Sequence, residues 1–401
     1  MDGDLTNGSF DKSTESPPYE FDDCTFRTMD GDLTNGSFDN STESPPYEFN
    51  DYTQRVIVAV MYLIVILLGT VGNILVILAV ILSKKLRTTT NAFIVNLGVA
   101  DLSLCLVLPW TVITTFSMNG LPIGEWVCSM AAVVQATAIG CSLYTLASIA
   151  LQRLLLIKWP MTTHQVIYTP RKIVVWLAVA WCIPLLVTLI PPLADVGAVG
   201  YNKKYHHCGF PSTHPRSKDY DLIIVMGLYP IPLITIIICY VLIWKHLRFH
   251  AKMVTATESS SKLMTTHRNV VLELVSTMNS NHAKTSTSTQ GTLRKSQLSR
   301  RQTKITKNMF YIICAFMLCL TPFVICLFCD YSDPFLPYAS AILACNSCVN
   351  PLIYATKHHD FKTVFGCILR RKWENIPEPS DFLKTLIPVK IPCCGGGDVV
   401  T

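Results

Sequence analysis

The sequence predicts an all-α membrane protein: a seven-transmembrane helix bundle with a short amphipathic C-terminal helix. Three observations carry that expectation. Half of the residues are hydrophobic and only 15% are charged, where a soluble domain carries about 25%. Seven long, nearly uncharged apolar stretches are divided by short polar ones, as hydrocarbon demands of a backbone that must satisfy its own hydrogen bonds. After the seventh, Phe361, Val364, Phe365 and Ile368 recur at helical spacing opposite His359, Lys362 and Arg370, the pattern of a helix lying on a membrane surface.

The stretches fall at about 55–82, 91–116, 124–157, 170–193, 221–245, 305–328 and 335–356. Each is long enough to cross roughly 30 Å at about 1.5 Å per residue. Lys and Arg in short connections stay on the cytoplasmic side. Lys84, Lys85 and Arg87 mark the first connection as inner, Lys158, Arg171 and Lys172 the third, and basic residues bound the fifth. The second and sixth carry only Glu125, Asp330 and Asp333, whereas the fourth dissents with Lys203, Lys204, Arg216 and Lys218. Three inner connections outweigh one, so the N-terminus is placed outside and the C-terminus inside.

Residues 1–51 are acidic and rich in Ser, Thr, Gly and Pro, too poor in apolar surface to fold alone, and are expected to be a disordered extracellular tail. The segment beginning at Met1 returns almost unchanged at Met29, too short to stack as a repeat protein. Asn7, Asn35 and Asn40 open glycosylation sequons, usable only outside the cell. The bundle occupies 52–357 and includes a polar, basic, Ser/Thr-rich cytoplasmic loop at 246–304, expected to be disordered and regulatory. The surface helix takes 358–372, and 373–401 is a cytoplasmic tail. No basic, apolar and small-residue leader opens the chain, so targeting falls to the first membrane helix.

The net charge of +6 does not indicate nucleic-acid binding, because the basic residues flank apolar runs and serve as topology signals. Most of the sixteen cysteines lie inside those runs and act as small hydrophobes; Cys24, Cys128 and Cys208 are placed to face an oxidising compartment. Asp101 is the one charged side chain in the middle of any stretch, and no histidine lies inside one. An intramembrane acid is costly and marks a functional position, with helix packing against a neighbouring Asn or Ser as the plainer alternative.

Seven features, one per helix, occur in order: Gly72-Asn73; Asp101; Cys128 lying 25 residues before Arg153; Trp181 with Pro191; Pro232 with Tyr240; Phe316 with Cys319-Leu320-Thr321-Pro322; and Asn350-Pro351-Leu352-Ile353-Tyr354. Over about 52–372 the chain resembles a class A (rhodopsin-like) G-protein-coupled receptor, with the melatonin-receptor-like branch and its orphan relatives as the nearest texture. The resemblance implies a plasma-membrane receptor that is not an enzyme. Its partners would be an extracellular ligand of unknown identity, a heterotrimeric G protein, a receptor kinase and arrestin, and membrane lipid, with no nucleic acid.

By the same resemblance Arg153, Gln152, Tyr240, Phe316, Pro322, Asn350, Pro351 and Tyr354 form the coupling and activation switch, Phe316 repacking beside Pro322 and Leu143 against Pro232. Prolines at 232, 322 and 351 each remove a backbone hydrogen bond and are expected to kink their helices. No cofactor is implied apart from an allosteric Na⁺. For that ion Asp101, Ser142, Asn346 and Asn350, with Asn73 and Ser347 nearby, offer the oxygens a small hard cation requires. Cys128 and Cys208 are expected to form the disulfide pinning the fourth connection over the third helix, two free thiols being the alternative. Cys367 is a palmitoylation position.

Gln152-Arg153-Leu154 lacks the acid that usually precedes this arginine, so Gln can offer only a weaker neutral hydrogen bond. Leu320 replaces the usual Trp two residues before Pro322, leaving ligand contact there steric. Gln135, eighteen residues before Arg153, stands where amine receptors present an aspartate; with Leu320 it is assigned to the ligand pocket, and no counter-ion exists there for a cationic amine. Thr114, Asn119 and Tyr338 are further hydrogen-bonding groups near the outer end. No lysine occurs from Pro334 to Tyr354, which disfavours an opsin. A transporter or channel is the rival reading, but would show paired repeats and several charged groups lining a path.

Overall fold

The computed structural model describes residues 47–117, 120–159, 169–249, 310–329 and 332–386. Seven helices in it are long and apolar enough to cross a membrane. They are α1 (Tyr52–Leu82), α2 (Thr89–Phe116), α3 (Glu125–Lys158), α4 (Pro170–Leu193), α5 (Ser217–Phe249), α6 (Phe310–Phe328) and α7 (Leu336–Lys357). Helix α8 (His359–Leu369) follows after a single residue and buries Phe361, Val364, Phe365 and Ile368. The glycosylation sequons and the loop core at 250–304 lie outside the described residues.

Local chemistry sets the ends. Asp51 caps α1 by accepting the Thr53 N–H at 2.8 Å, and Thr88 caps α2 by accepting that of Asn91, each filling one of the orphan donors of a first turn. Helix α4 starts on Pro170, where a missing N–H costs nothing. Helix α5 runs on to Phe249, so His246, expected beyond the span, joins its cytoplasmic end.

The kinks differ in place from expectation. In α5 the regular helix stops at Leu228, and Tyr229 breaks it immediately before Pro230, the residue ahead of a proline being the one whose helical backbone is crowded. In α7 the interruption is at Cys345, between segments Leu336–Ala344 and Asn346–Lys357. Pro351 lies inside a regular helical segment. Its missing N–H leaves the Ser347 carbonyl without an intrahelical donor, and Asn73 of α1 supplies one at 2.8 Å. Gly72 makes the approach possible, because a Cβ there would stand 2.7 Å from the Pro351 ring.

Outside, β1 (Gly200–Asn202) and β2 (His207–Gly209) form an antiparallel hairpin pairing Tyr201 with Cys208. Within residues 47–51, expected to belong to a disordered tail, Phe49 is anchored. Phe49 is buried, donates its N–H to the Lys204 carbonyl and sets its ring edge-on to Tyr338. In the basic fourth connection two of the four basic residues meet acids: Lys204 pairs with Asp333 at 2.6 Å and Arg216 with Asp219 at 3.0 Å.

Candidate functional site

Asp101 is buried where α2, α3 and α7 meet. Its Oδ1 accepts from Ser347 at 3.2 Å and more weakly from Ser142 at 3.5 Å, and its Oδ2 accepts from Asn350 at 2.9 Å. These donors do what an ion pair would otherwise have to do for a buried charge. Beside them lies a cavity of about 10 Å³ lined by Asp101, Ser142, Asn346, Ser347 and Phe316 among others, the volume of one water-sized particle. The Asn346 and Asn350 side-chain oxygens are buried without a hydrogen-bond partner. A carboxylate, two hydroxyls and the unpaired amide oxygen of Asn346 around so small a space fit a small hard cation; Asn350, assigned to the same site, bonds Asp101 but does not line the cavity. Asn73 is engaged elsewhere, donating to the Gly69 and Ser347 carbonyls; it ties α1 to α7 rather than lining the cavity. A second polar bridge was not singled out in the sequence: Trp181 donates to Asn96, and Asn96 to Thr145, joining α4, α2 and α3.

The residues that the resemblance assigns to the switch sit below. Phe316, Leu143, Leu320 and Ile236 share one apolar core, and Pro232 is buried close by in sequence. Tyr240 lies against Phe310 of α6 at 5.5 Å, and Tyr354 stacks on Phe361 of α8 at 5.4 Å. Both tyrosine hydroxyls are buried without a hydrogen-bond partner among the described residues. Arg153 is buried at the inner end of α3. Gln152, 1% exposed, makes no side-chain hydrogen bond at all among the described residues, so even the weak restraint on Arg153 expected of it is missing. Glu at this position is expected to restore a charge-assisted bond and lower ligand-free signalling up to about tenfold, an effect of about 1.4 kcal/mol; an unchanged baseline in a second-messenger assay would refute it.

Towards the outside, Gln135 donates to the Thr111 hydroxyl at 2.9 Å and Thr114 is occupied by the Thr111 carbonyl. Asn119 lies outside the described residues. Cys128 and Cys208 are disulfide-bonded, fixing β2 to α3. Burial pushes His207 of the same strand down to about 4 from its ordinary value, the Tyr205 carbonyl opposing in part. The native ring therefore stays neutral while the unfolded chain takes up a proton below about pH 6.5, and stability falls as pH drops from there towards 4. Acidification from pH 7 to 5 is expected to cost about 1 kcal/mol, reduced from the full shift because part of the ring reaches solvent. Thermal melts of wild type and His207→Gln at both pH values measure it, the variant losing less.

With this geometry in place, the match to known proteins is direct. Residues 72–354 fit the family described as 7 transmembrane receptor (rhodopsin family). The chain belongs to that family. Galanin receptor 2b of Danio rerio is 28% identical over 80% of this chain and 78% of its own length. The alpha-1D adrenergic receptor of Mus musculus is 28% identical, but the match spans only 58% of that receptor. The melatonin receptor type 1A of Mus musculus is 30% identical over 45% of this chain and 49% of that receptor. Similar identities under three different ligand names leave the branch open. Squid rhodopsin, in its crystal structure, has a TM-score of 0.65 over 87% of this chain and 95% of its own, at 19% identity, a likeness of fold. The chain is thus a multi-pass class A signalling receptor, not an enzyme.

Proposed function

We propose that this receptor sits in the plasma membrane, binds a non-aminergic extracellular ligand and activates a heterotrimeric G protein by outward movement of α6, with receptor kinase and arrestin as later partners. The observation that carries the reading is the line of α7 side chains from Asn350, bonded to Asp101, to Tyr354, held on Phe361. These residues are four apart and project from one helix face, so a change at the buried acid reaches the inner mouth along one rigid segment.

Packing supports motion at α6. Between α5 and α6 lies an open groove of about 830 Å³ lined mainly by apolar side chains, Ile236, Ile313, Met317, Pro322 and Ile325 among them. Space that side chains do not fill leaves α6 room to shift on this face. Non-amine chemistry is supported by the neutral pair of Gln135 and Thr111 and by the engagement of Asp333 with Lys204 and Tyr205. A cationic amine would find no free carboxylate in these groups. The Na⁺ assignment to Asp101, Ser142, Asn346 and Asn350 belongs to the same proposal, the ion supplying positive charge against Asp101 when bound.

A second-messenger panel in transfected cells tests the reading without knowledge of the ligand. Arg153→Ala is expected to abolish ligand-free signalling that the wild type shows. Solute or ion flux independent of any G protein would decide for the transporter or channel instead.

A further inference from the structure

Residues 373–386 of the segment assigned to the cytoplasmic tail turn back and dock. Helix α8 ends with Arg371 in the left-handed region at φ 54°. The Arg371 N–H donates to the Ile368 carbonyl and that of Lys372 to the Cys367 carbonyl, the paired bonds of a helix stop usually made with glycine. Glu378, at φ 48°, reverses the chain again. Two non-glycine residues held in a disfavoured conformation imply surrounding contacts that over-determine them.

Those contacts lie on the turn between α1 and α2. Ser83 and Pro379 form an antiparallel bridge, with the Lys84 N–H donating to the Glu378 carbonyl at 2.8 Å and the Ser380 N–H to the Leu82 carbonyl at 2.9 Å. The Ser83 hydroxyl donates to the Pro377 carbonyl at 2.6 Å. Ser380 caps α9 (Asp381–Leu386) by accepting the Leu383 N–H. Neither serine has any exposed surface. Ile376 and Leu383 join Leu82, Leu86, Phe361, Val364, Phe365 and Ile368 in one apolar cluster. At the surface Lys84 pairs with Asp381 and Lys85 with Asp360 of α8, and Lys84 holds the Asp381 carboxyl below the usual carboxylate range. Protein thus covers the apolar face of α8 that the sequence assigns to the membrane. Cys367, the lipidation position, donates its thiol to the Asn375 carbonyl.

We infer that residues 376–386 are an intracellular strap that latches α8 to the α1–α2 turn and thereby keeps Tyr354 stacked on Phe361, restraining ligand-free signalling. The inference rests on the reading above that Tyr354 must leave α8 for the receptor to couple. Phe361 is the shared element: it is fully buried in the apolar cluster that also takes in Ile376 and Leu383, and it carries the Tyr354 ring. Loosening the strap frees Phe361 to move and lowers the barrier to releasing Tyr354.

The test uses full-length receptor and two opposed variants. Leu383→Asp puts a charge into the apolar cluster; the double substitution Ser83→Cys with Pro379→Cys, at the paired positions of the antiparallel bridge, allows the strap to be locked by mild oxidation. Hydrogen exchange in purified receptor is expected to speed up at least tenfold for amides at 82–86 and at 350–361 in Leu383→Asp, and to remain slow in the locked form. Ligand-free signalling is expected to rise at least threefold in Leu383→Asp and not in the locked form. Failure of the cysteine pair to crosslink, or unchanged exchange at 350–361 in Leu383→Asp, overturns the strap. Faster exchange with unaltered signalling in a receptor whose wild type signals overturns its regulatory role. If no variant signals although exchange responds as stated, the latch stands and the G-protein reading fails.

Discussion

Breaking the Cys128–Cys208 bridge is expected to remove about 4.5 kcal/mol of stability, the loop-closure entropy of a crosslink between residues some 80 apart. No other single tie on the outer face approaches that figure. The hairpin is also held by Ser129 donating to the Val199 carbonyl, Asn202 to the Phe210 carbonyl and Phe49 to the Lys204 carbonyl, each worth about 1 kcal/mol net. The partly exposed Lys204–Asp333 pair adds less than its short distance suggests, because solvent screens it. Cys128→Ser should therefore lower the apparent Tm of purified receptor by roughly 10 °C. Cys182→Ser, which alters an exposed thiol outside any bridge, is the control and should shift it by no more than a degree or two. Equal shifts would show that the outer face draws its order from the hydrogen bonds and from Phe49.

The seven spans were legible because hydrocarbon imposes one rule over twenty residues at a time, and no local exception erases it. Asp101 was legible for the same reason inverted, a lone charge standing out in apolar surroundings. What Asn73 does was not. Its partner is a carbonyl that Pro351 leaves open 274 residues away, a link visible only once α1 and α7 are side by side. Phe49 and Ile376 each stand as single apolar residues in polar stretches and Leu383 beside Phe382 in a short run, with no sustained period to reveal a buried face, yet all three are buried. The α5 break depends on which of two nearby prolines wins, and the α7 break falls at Cys345, whose composition carries no signal. Composition thus located the bundle, while the ties that close its two ends depend on single contacts between distant segments.

Asp101→Asn is expected to erase the dependence of ligand-free signalling on Na⁺. In wild-type receptor, replacing a bulky organic cation by Na⁺ at about 0.15 M and constant ionic strength should lower that signalling several-fold. Constant ionic strength keeps general screening out of the comparison. Asn matches Asp in shape, so the lost element is charge. Its amide nitrogen, if placed at the Oδ2 position, would face the Asn350 amide donor across 2.9 Å, two donors opposed; turned the other way, it would face the Ser347 and Ser142 hydroxyls, which can rotate to accept. The second orientation costs little, so folding should survive and surface expression should change little. The remaining oxygens of Ser142, Ser347 and Asn346 are neutral, and neutral groups alone hold a monovalent cation poorly in a dry cavity of about 10 Å³. Asn346→Leu separates the two contributions, since it removes the unpaired amide oxygen while leaving the bonds to Asp101 intact. It should weaken the Na⁺ response without the larger rise in baseline expected of Asp101→Asn. A Na⁺ response that persists in Asp101→Asn would instead leave this cavity to water and return Asp101 to the simpler role of joining α2 to α7 through Asn350.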